Sequence, residues 1–177
     1  YYLEGAFEKF KEVVICENNV DMIYGDVLIV DENGDEIDKK FNTSPSEFIQ
    51  RNWSVYANNQ SAFFNKRIFE QIDLIREDLK YTMDSELIYR ILKNEFQTIH
   101  IPQPLGAFRK HRDAKTINSN TGVHPELETV YNYTTIEKIL PQIFLENIAK
   151  LLKAYLLIKE RRWSAIRYNM KQDHEKT

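Results

Sequence analysis

The sequence predicts an α/β protein: a partial mixed sheet with flanking helices, followed by a helical C-terminal tail. Three observations predict it. Over the first 120 residues, short apolar runs of strand character alternate with stretches of helical period. Val27-Leu28-Ile29-Val30 is a brief, β-branched, uncharged run of the kind that makes a buried strand. From Pro125 onward the apolar period is helical throughout. The expected organisation is therefore residues 1–120 as one unit and 121–177 as a helical extension.

Taken in order, Leu3, Phe7, Phe10, Val13 and Val14 recur at helical spacing, with Glu4 placed to meet the positive end of the helix dipole. Asn18-Asn19 ends that helix. Met22-Ile23-Tyr24 and Val27 to Val30 form the first strand region, and Asn33-Gly34 within Asp31 to Asp35 is a strong hairpin signal. Glu36 to Phe41 is the returning strand. Ser44-Pro45-Ser46-Glu47 reads as a capping box, with Ser44 as N-cap and Pro45 at the first helical position. Ser61 to Phe64 is a strand and Lys66 to Ile72 a helix. Asp84 to Asn94 is an amphipathic helix carrying Leu87, Ile88, Ile91 and Leu92 on one side. Thr98 to Ile101 and Leu105 to Arg109 are strands divided by Pro102 and Pro104. Helices are then expected over about 125–138 and 141–171.

Composition removes several classes. The chain has 177 residues, 42% hydrophobic and 29% charged, which is enough for a packed core and too apolar for disorder. The net charge of −3 argues against a dedicated nucleic-acid-binding domain. A single cysteine, Cys16, permits no internal disulfide and no cysteine-based zinc site; it reads as a buried or half-buried small residue. No apolar run reaches the roughly 18 residues of a membrane span. A cytoplasmic place is expected. The even charge conceals a contrast, since residues 147–172 carry +6 and residues 1–146 carry −8. Ile148, Leu151, Leu152, Tyr155 and Leu156 form an apolar stripe within that basic segment. Two accounts of it stand: a solvated helix packed on the domain, or peripheral contact with the anionic inner face of a membrane.

The chemistry-bearing residues are few. Asp84 opens a helix, which a cap explains, but a carboxylate there can also act as a general base toward a hydroxyl. Glu86 lies two residues on and points elsewhere, so the two do not form a paired acid/base site. Phe108-Arg109-Lys110-His111-Arg112 follows a strand; Arg109 and His111 share a face there and suit a diphosphate, and His111 could also ligate a metal. A solvated basic strand end is the simpler account. Asp26 closes a strand stretch with a carboxylate. Asp31, Asn33 and Asp35 lack the glycine and closing glutamate of a calcium loop, so they read as a turn. His100, His124 and His174 have no metal-ligand spacing.

In order along the chain, these segments resemble the second half of a family 2 glycosyltransferase of the GT-A type. Tyr2-Leu3-Glu4-Gly5-Ala6-Phe7 and Asp21-Met22-Ile23-Tyr24-Gly25-Asp26 resemble that family's helix and its Tyr-Gly-Asp strand, and Val30-Asp31-Glu32-Asn33-Gly34 the following hairpin. Asn59-Gln60-Ser61-Ala62-Phe63-Phe64-Asn65-Lys66-Arg67-Ile68-Phe69 and Tyr81-Thr82-Met83-Asp84-Ser85-Glu86-Leu87-Ile88-Tyr89-Arg90 are similar to two further motifs. Leu105 to Thr116 resembles the closing one. The resemblance covers about residues 1–117. It implies a GT-A-like sheet and transfer of a sugar, with inversion, from a nucleotide diphosphate sugar to an acceptor hydroxyl on a growing glycan. Asp84 would be the base, Asn59, Gln60 and Glu86 would contact substrate, and Arg109 and His111 would sit at the diphosphate. A divalent metal, Mn or Mg, would be held with help from His111.

The sequence departs from that pattern. The family's nucleotide-binding strands and Asp-x-Asp motif precede the position of Tyr1-Tyr2 and are absent here. Asn58-Asn59 stands where many relatives carry a histidine, and the glycine after the Phe69 helix is replaced around Ile72-Asp73. The expectation is the acceptor half of a larger domain, inactive by itself and open to homo-oligomer contacts. A non-catalytic module that binds a glycan or a protein is the alternative. Hydrolysis by Asp84 and Glu86 is weaker, because no second carboxylate across a cleft is identified.

Overall fold

The structure is a computed structural model that describes residues 1–53, 58–110, 125–131 and 133–168. It is a mixed α/β protein with a four-stranded sheet flanked by helices and a helical C-terminal part. The elements are α1 (Ala6–Cys16), β1 (Met22–Val30), β2 (Glu36–Lys40), α2 (Glu47–Asn52), β3 (Ala62–Phe64), α3 (Arg67–Gln71), α4 (Met83–Lys93), β4 (Thr98–Arg109), α5 (Pro125–Val130), α6 (Thr135–Ile139) and α7 (Gln142–Lys159). A 3-10 turn, Asn59–Ser61, leads into β3, and residues 163–168 are again helical.

β1 is the central strand. β4 runs parallel along one edge of it from Met22 to Val30. The other edge is shared by two antiparallel strands: β3 pairs with Met22, Ile23 and Tyr24, and β2 with Val27 to Val30. The β1–β2 hairpin forms as its turn residues predict. Gly34 adopts φ 99°, and the Asp31 carboxylate accepts the N–H groups of Asn33, Gly34 and Asp35 at 2.9 Å each. On the outer edge of β4, the Leu3 N–H donates to Leu105 and the Ala107 N–H to Tyr1.

The pleat of β1 divides the core in two. Ile23 faces α1, where Ala6, Phe10 and Val13 pack with Ile101 and Leu105. Met22 and Tyr24 face the opposite layer, with Ile49 of α2, Leu87, Ile88 and Ile91 of α4, and Ala149 of α7. Each large side chain fully buried there contributes about 1.5–3 kcal/mol of transfer free energy. Residues of the C-terminal helices thus enter the same core as the sheet.

Several expectations need correction. The strand predicted as two pieces around Pro102 and Pro104 is one strand, β4. Its register against β1 shifts between Gly25 and Asp26 and between Asp26 and Val27, and these irregularities accommodate the prolines. The α2 cap is Ser46, whose hydroxyl accepts the Ile49 N–H at 3.3 Å; Ser44 instead donates to Glu160 from its N–H and its hydroxyl. Glu4 lies before the start of α1, whose N-cap is Gly5 at φ 77°. Cys16 is exposed. The helix expected over 125–138 is two helices, and a capping box between Thr134 and Glu137 starts the second. The helix expected over 141–171 stops at Lys159, and Arg161 then takes φ 58°. Of the apolar stripe expected there, Leu152 and Leu156 pack on the core, but the packed side is centred elsewhere. Leu145, Ala149, Lys153 and Leu157 are buried, while Leu151 and Tyr155 are 71% and 58% exposed.

Candidate functional site

A polar cluster lies on the face of the sheet covered by α4 and α7. It begins with Asp26, in the middle of β1 and 2% exposed. A carboxylate so deep needs partners. One oxygen accepts the Asn42 N–H at 2.9 Å and lies 3.1 Å from His100 Nε2; the other forms an ion pair with Arg162. Arg162 also donates to the Asn42 carbonyl, and the Asn42 amide donates to the Gly25 carbonyl at 2.7 Å. Burial pushes the Asp26 carboxyl up, but the bonds from His100, Arg162 and Asn42 outweigh it and hold the group below the usual carboxylate range.

Two lysines belong to the same region. Lys40, at the end of β2, donates to Asn58 Oδ1 at 3.1 Å. Burial, then the positive charge of Lys153, lowers its ammonium to about 7, while the charge of Asp84 acts in the opposite direction. Lys153 projects from the packed side of α7, its Nζ 4.8 Å from the centre of the Trp53 ring. It is lowered to about 8 by burial, with Asp26 raising it and Arg162 lowering it. Both lysines therefore change charge near neutral pH.

Asp84 is half-buried in the first turn of α4, where the helix dipole favours a negative charge, and its carboxylate accepts the Ser85 N–H at 2.8 Å. The chain leading into α4 is held from α5. Glu126 accepts the N–H groups of Lys80 and Tyr81 at 3.2 and 3.0 Å and the Thr82 hydroxyl at 3.0 Å. Behind Asp84, Gln50 donates to the Ser85 carbonyl at 3.3 Å and to the Tyr131 hydroxyl at 3.2 Å. Burial drives the Tyr131 phenol well above its ordinary value, with the Asp84 charge adding to the effect.

The structure thus connects some of the residues singled out in the sequence. Lys40 feels the charge of Asp84 and binds Asn58, the residue just before Asn59 and Gln60 in the 3-10 turn. Asn59 is exposed and Gln60 half-buried, and the Gln60 carbonyl packs against Gly106 of β4. Glu86 is placed differently from its expected role. It is 4% exposed, and both its oxygens are bound by Arg90 one helical turn away, at 2.6 and 2.8 Å. Arg90 also donates to the carbonyls of Ile72, Asp73 and Leu74, so the pair fixes that loop to α4 instead of facing a substrate. Arg109 ends β4 with its guanidinium 5.8 Å from the ring centre of Tyr1. His111 lies outside the described residues, as do His124 and His174.

Among the described residues, no group of three or more His, Cys, Asp or Glu could hold a metal ion. Asp26 and His100 meet, but the third member of their group is the Arg162 cation, which does not fit a divalent metal. The sequence reading missed Lys40, Lys153 and Arg162. The available signal was a lysine between Leu152 and Leu156, placed where the period of α7 calls for an apolar residue.

Compared with known proteins, the chain matches no family model and no curated protein.

Proposed function

We propose that the chain is the acceptor side of a glycosyltransferase that moves a sugar from a nucleotide diphosphate sugar to a glycan hydroxyl. The observation that carries this reading is that Asp84, in the first turn of α4, lies within electrostatic reach of Lys40, which binds Asn58 beside Asn59 and Gln60 and feels the charge of Lys153. Asp84 takes the proton of the acceptor hydroxyl, and the freed oxygen attacks the anomeric carbon from the face opposite the leaving group. The bond from that carbon to the diphosphate breaks, the diphosphate leaves with the electron pair, and the configuration inverts. Nearby cations favour the leaving charge. Lys40 and Lys153, with ammonium groups at about 7 and about 8, would take up protons as such a charge arrives. Asn59 and Gln60 border the acceptor, and Arg109 and His111 approach the diphosphate. A divalent cation would add to the same charge stabilisation. The natural setting of this reaction is the cytoplasmic side of a membrane, in polysaccharide biosynthesis.

Transfer assays on the full-length protein with Asp84→Asn test it. Turnover should fall about 10²–10⁴-fold, the usual worth of a general base, while the donor KM stays unchanged. Unaltered turnover would remove Asp84 from the mechanism.

A further inference from the structure

The C-terminal helices present a surface that the core does not use. At about 100° per residue, Phe144, Ile148, Leu151, Tyr155 and Ile158 fall on one stripe of α7 roughly 80° wide. It lies away from the packed stripe of Leu145, Ala149, Lys153 and Leu157. Leu151 is 71% exposed and Tyr155 58%; just before them, Ile139 and Ile143 are 76% and 70% exposed. A helix apolar on two sides has one side for its own core and one for something else.

The charges around the stripe indicate the occupant. Lys159 falls on one side of it and Lys150 on the other. Across residues 134–168, the exposed charged side chains are Lys138, Lys150, Lys159, Arg161 and Arg167, all cationic. The carboxylates in that stretch are withdrawn: Glu137 is buried and bound to Arg51 and Asn52, Glu160 binds Ser44, and Glu146 is half-buried. A second copy on this face would bring like charges together. An anionic surface with an apolar interior satisfies both the stripe and its cations. No helix among the described residues is long and apolar enough to cross a membrane.

We propose that this face, from Ile139 to Arg167, lies in the interface of an anionic lipid bilayer. It takes lipid acyl chains along the Phe144–Ile158 stripe and acidic headgroups at Lys150, Lys159 and Arg161. The inference rests on the structure alone and does not require the glycosyl-transfer reading.

Vesicle co-sedimentation tests it, with vesicles of phosphatidylcholine alone or mixed equally with phosphatidylglycerol. The chain should pellet with the mixed vesicles at low salt, and not with the neutral ones. Binding should vanish near 1 M salt, where the screening length is about 3 Å. Lys150→Ala and Lys159→Ala should each weaken binding roughly fivefold. Leu151→Glu with Tyr155→Glu should abolish it, with circular dichroism confirming an unchanged fold. Three results would overturn the proposal: no binding to mixed vesicles at low salt, equal binding to neutral ones, or undiminished binding by the double glutamate variant. A stable dimer in solution that Leu151→Glu dissociates would also overturn it and assign the face to a second copy.

Discussion

The carboxylate of Asp26, in the central strand, is paired with the guanidinium of Arg162, 136 residues later in the chain. Both groups are nearly inaccessible, at 3% and 8% side-chain exposure. The pair ties the segment after α7 to the middle of the sheet, next to His100 and Asn42.

Breaking that pair from the arginine side should be costly. Arg162→Met leaves Asp26 with His100 and the Asn42 N–H alone and should destabilise the fold by about 2–4 kcal/mol, toward the range for a buried pair that loses one member. The loss has a pH signature. Because the folded Asp26 carboxyl sits below its usual range, its contribution is present above the unfolded carboxylate value of about 4 and disappears as pH falls through the folded value. Urea unfolding should show the variant weaker at neutral pH, with the two proteins converging in acid. A constant gap across pH would contradict the coupling.

Lys40 costs stability where Asp26 adds it, although both make stability rise with pH. Its folded ammonium, at about 7, lies below the unfolded value, so the unfolded chain binds more protons between those two values. Stability should therefore rise as pH increases from neutral toward 9. Lys40→Met should flatten that rise and raise stability at pH 7 by about 1 kcal/mol, less than one pKa unit of the relief available. Equilibrium unfolding at several pH values reads both effects. A variant with the wild-type slope would show that Lys40 is not the group responsible.

Gly106 should tolerate no side chain. A Cβ built there stands 1.7 Å from the Gln60 carbonyl oxygen and 2.4 Å from its carbon, and that neighbour is backbone. Gly106→Ala must push the Asn59–Ser61 turn away from β4, at an expected cost of about 3 kcal/mol or more. Thermal unfolding measures the cost. A Tm within a degree or two of wild type would mean that the turn moves freely, and that Asn59 and Gln60 are not held in place by β4.

Much of the fold was legible because its signals are local. The Val27–Val30 run, the Asn33-Gly34 turn and the spacing of Leu87, Ile88 and Ile91 each fix a backbone form within a few residues. Both ends of β4 were legible as strands, but its continuity was not, because a proline reads as a break in a single strand, whereas β1 supplies a partner whose register can slip around it. Asp84 was visible as a carboxylate at a helix start. Glu86 was misplaced because its partnership with Arg90 and the 72–74 carbonyls depends on how α4 packs.

By itself, then, the sequence determined the mixed α/β class, the β1–β2 hairpin and the position of α4. Tertiary structure decided which side of α7 is buried, which lysines lose their solvent, and which carboxylate meets Arg162. Those outcomes depend on contacts between segments far apart in the chain. Periodicity can mark two apolar sides on one helix, but only a packed neighbour selects between them. A charge takes its pKa from surroundings that the whole fold assembles.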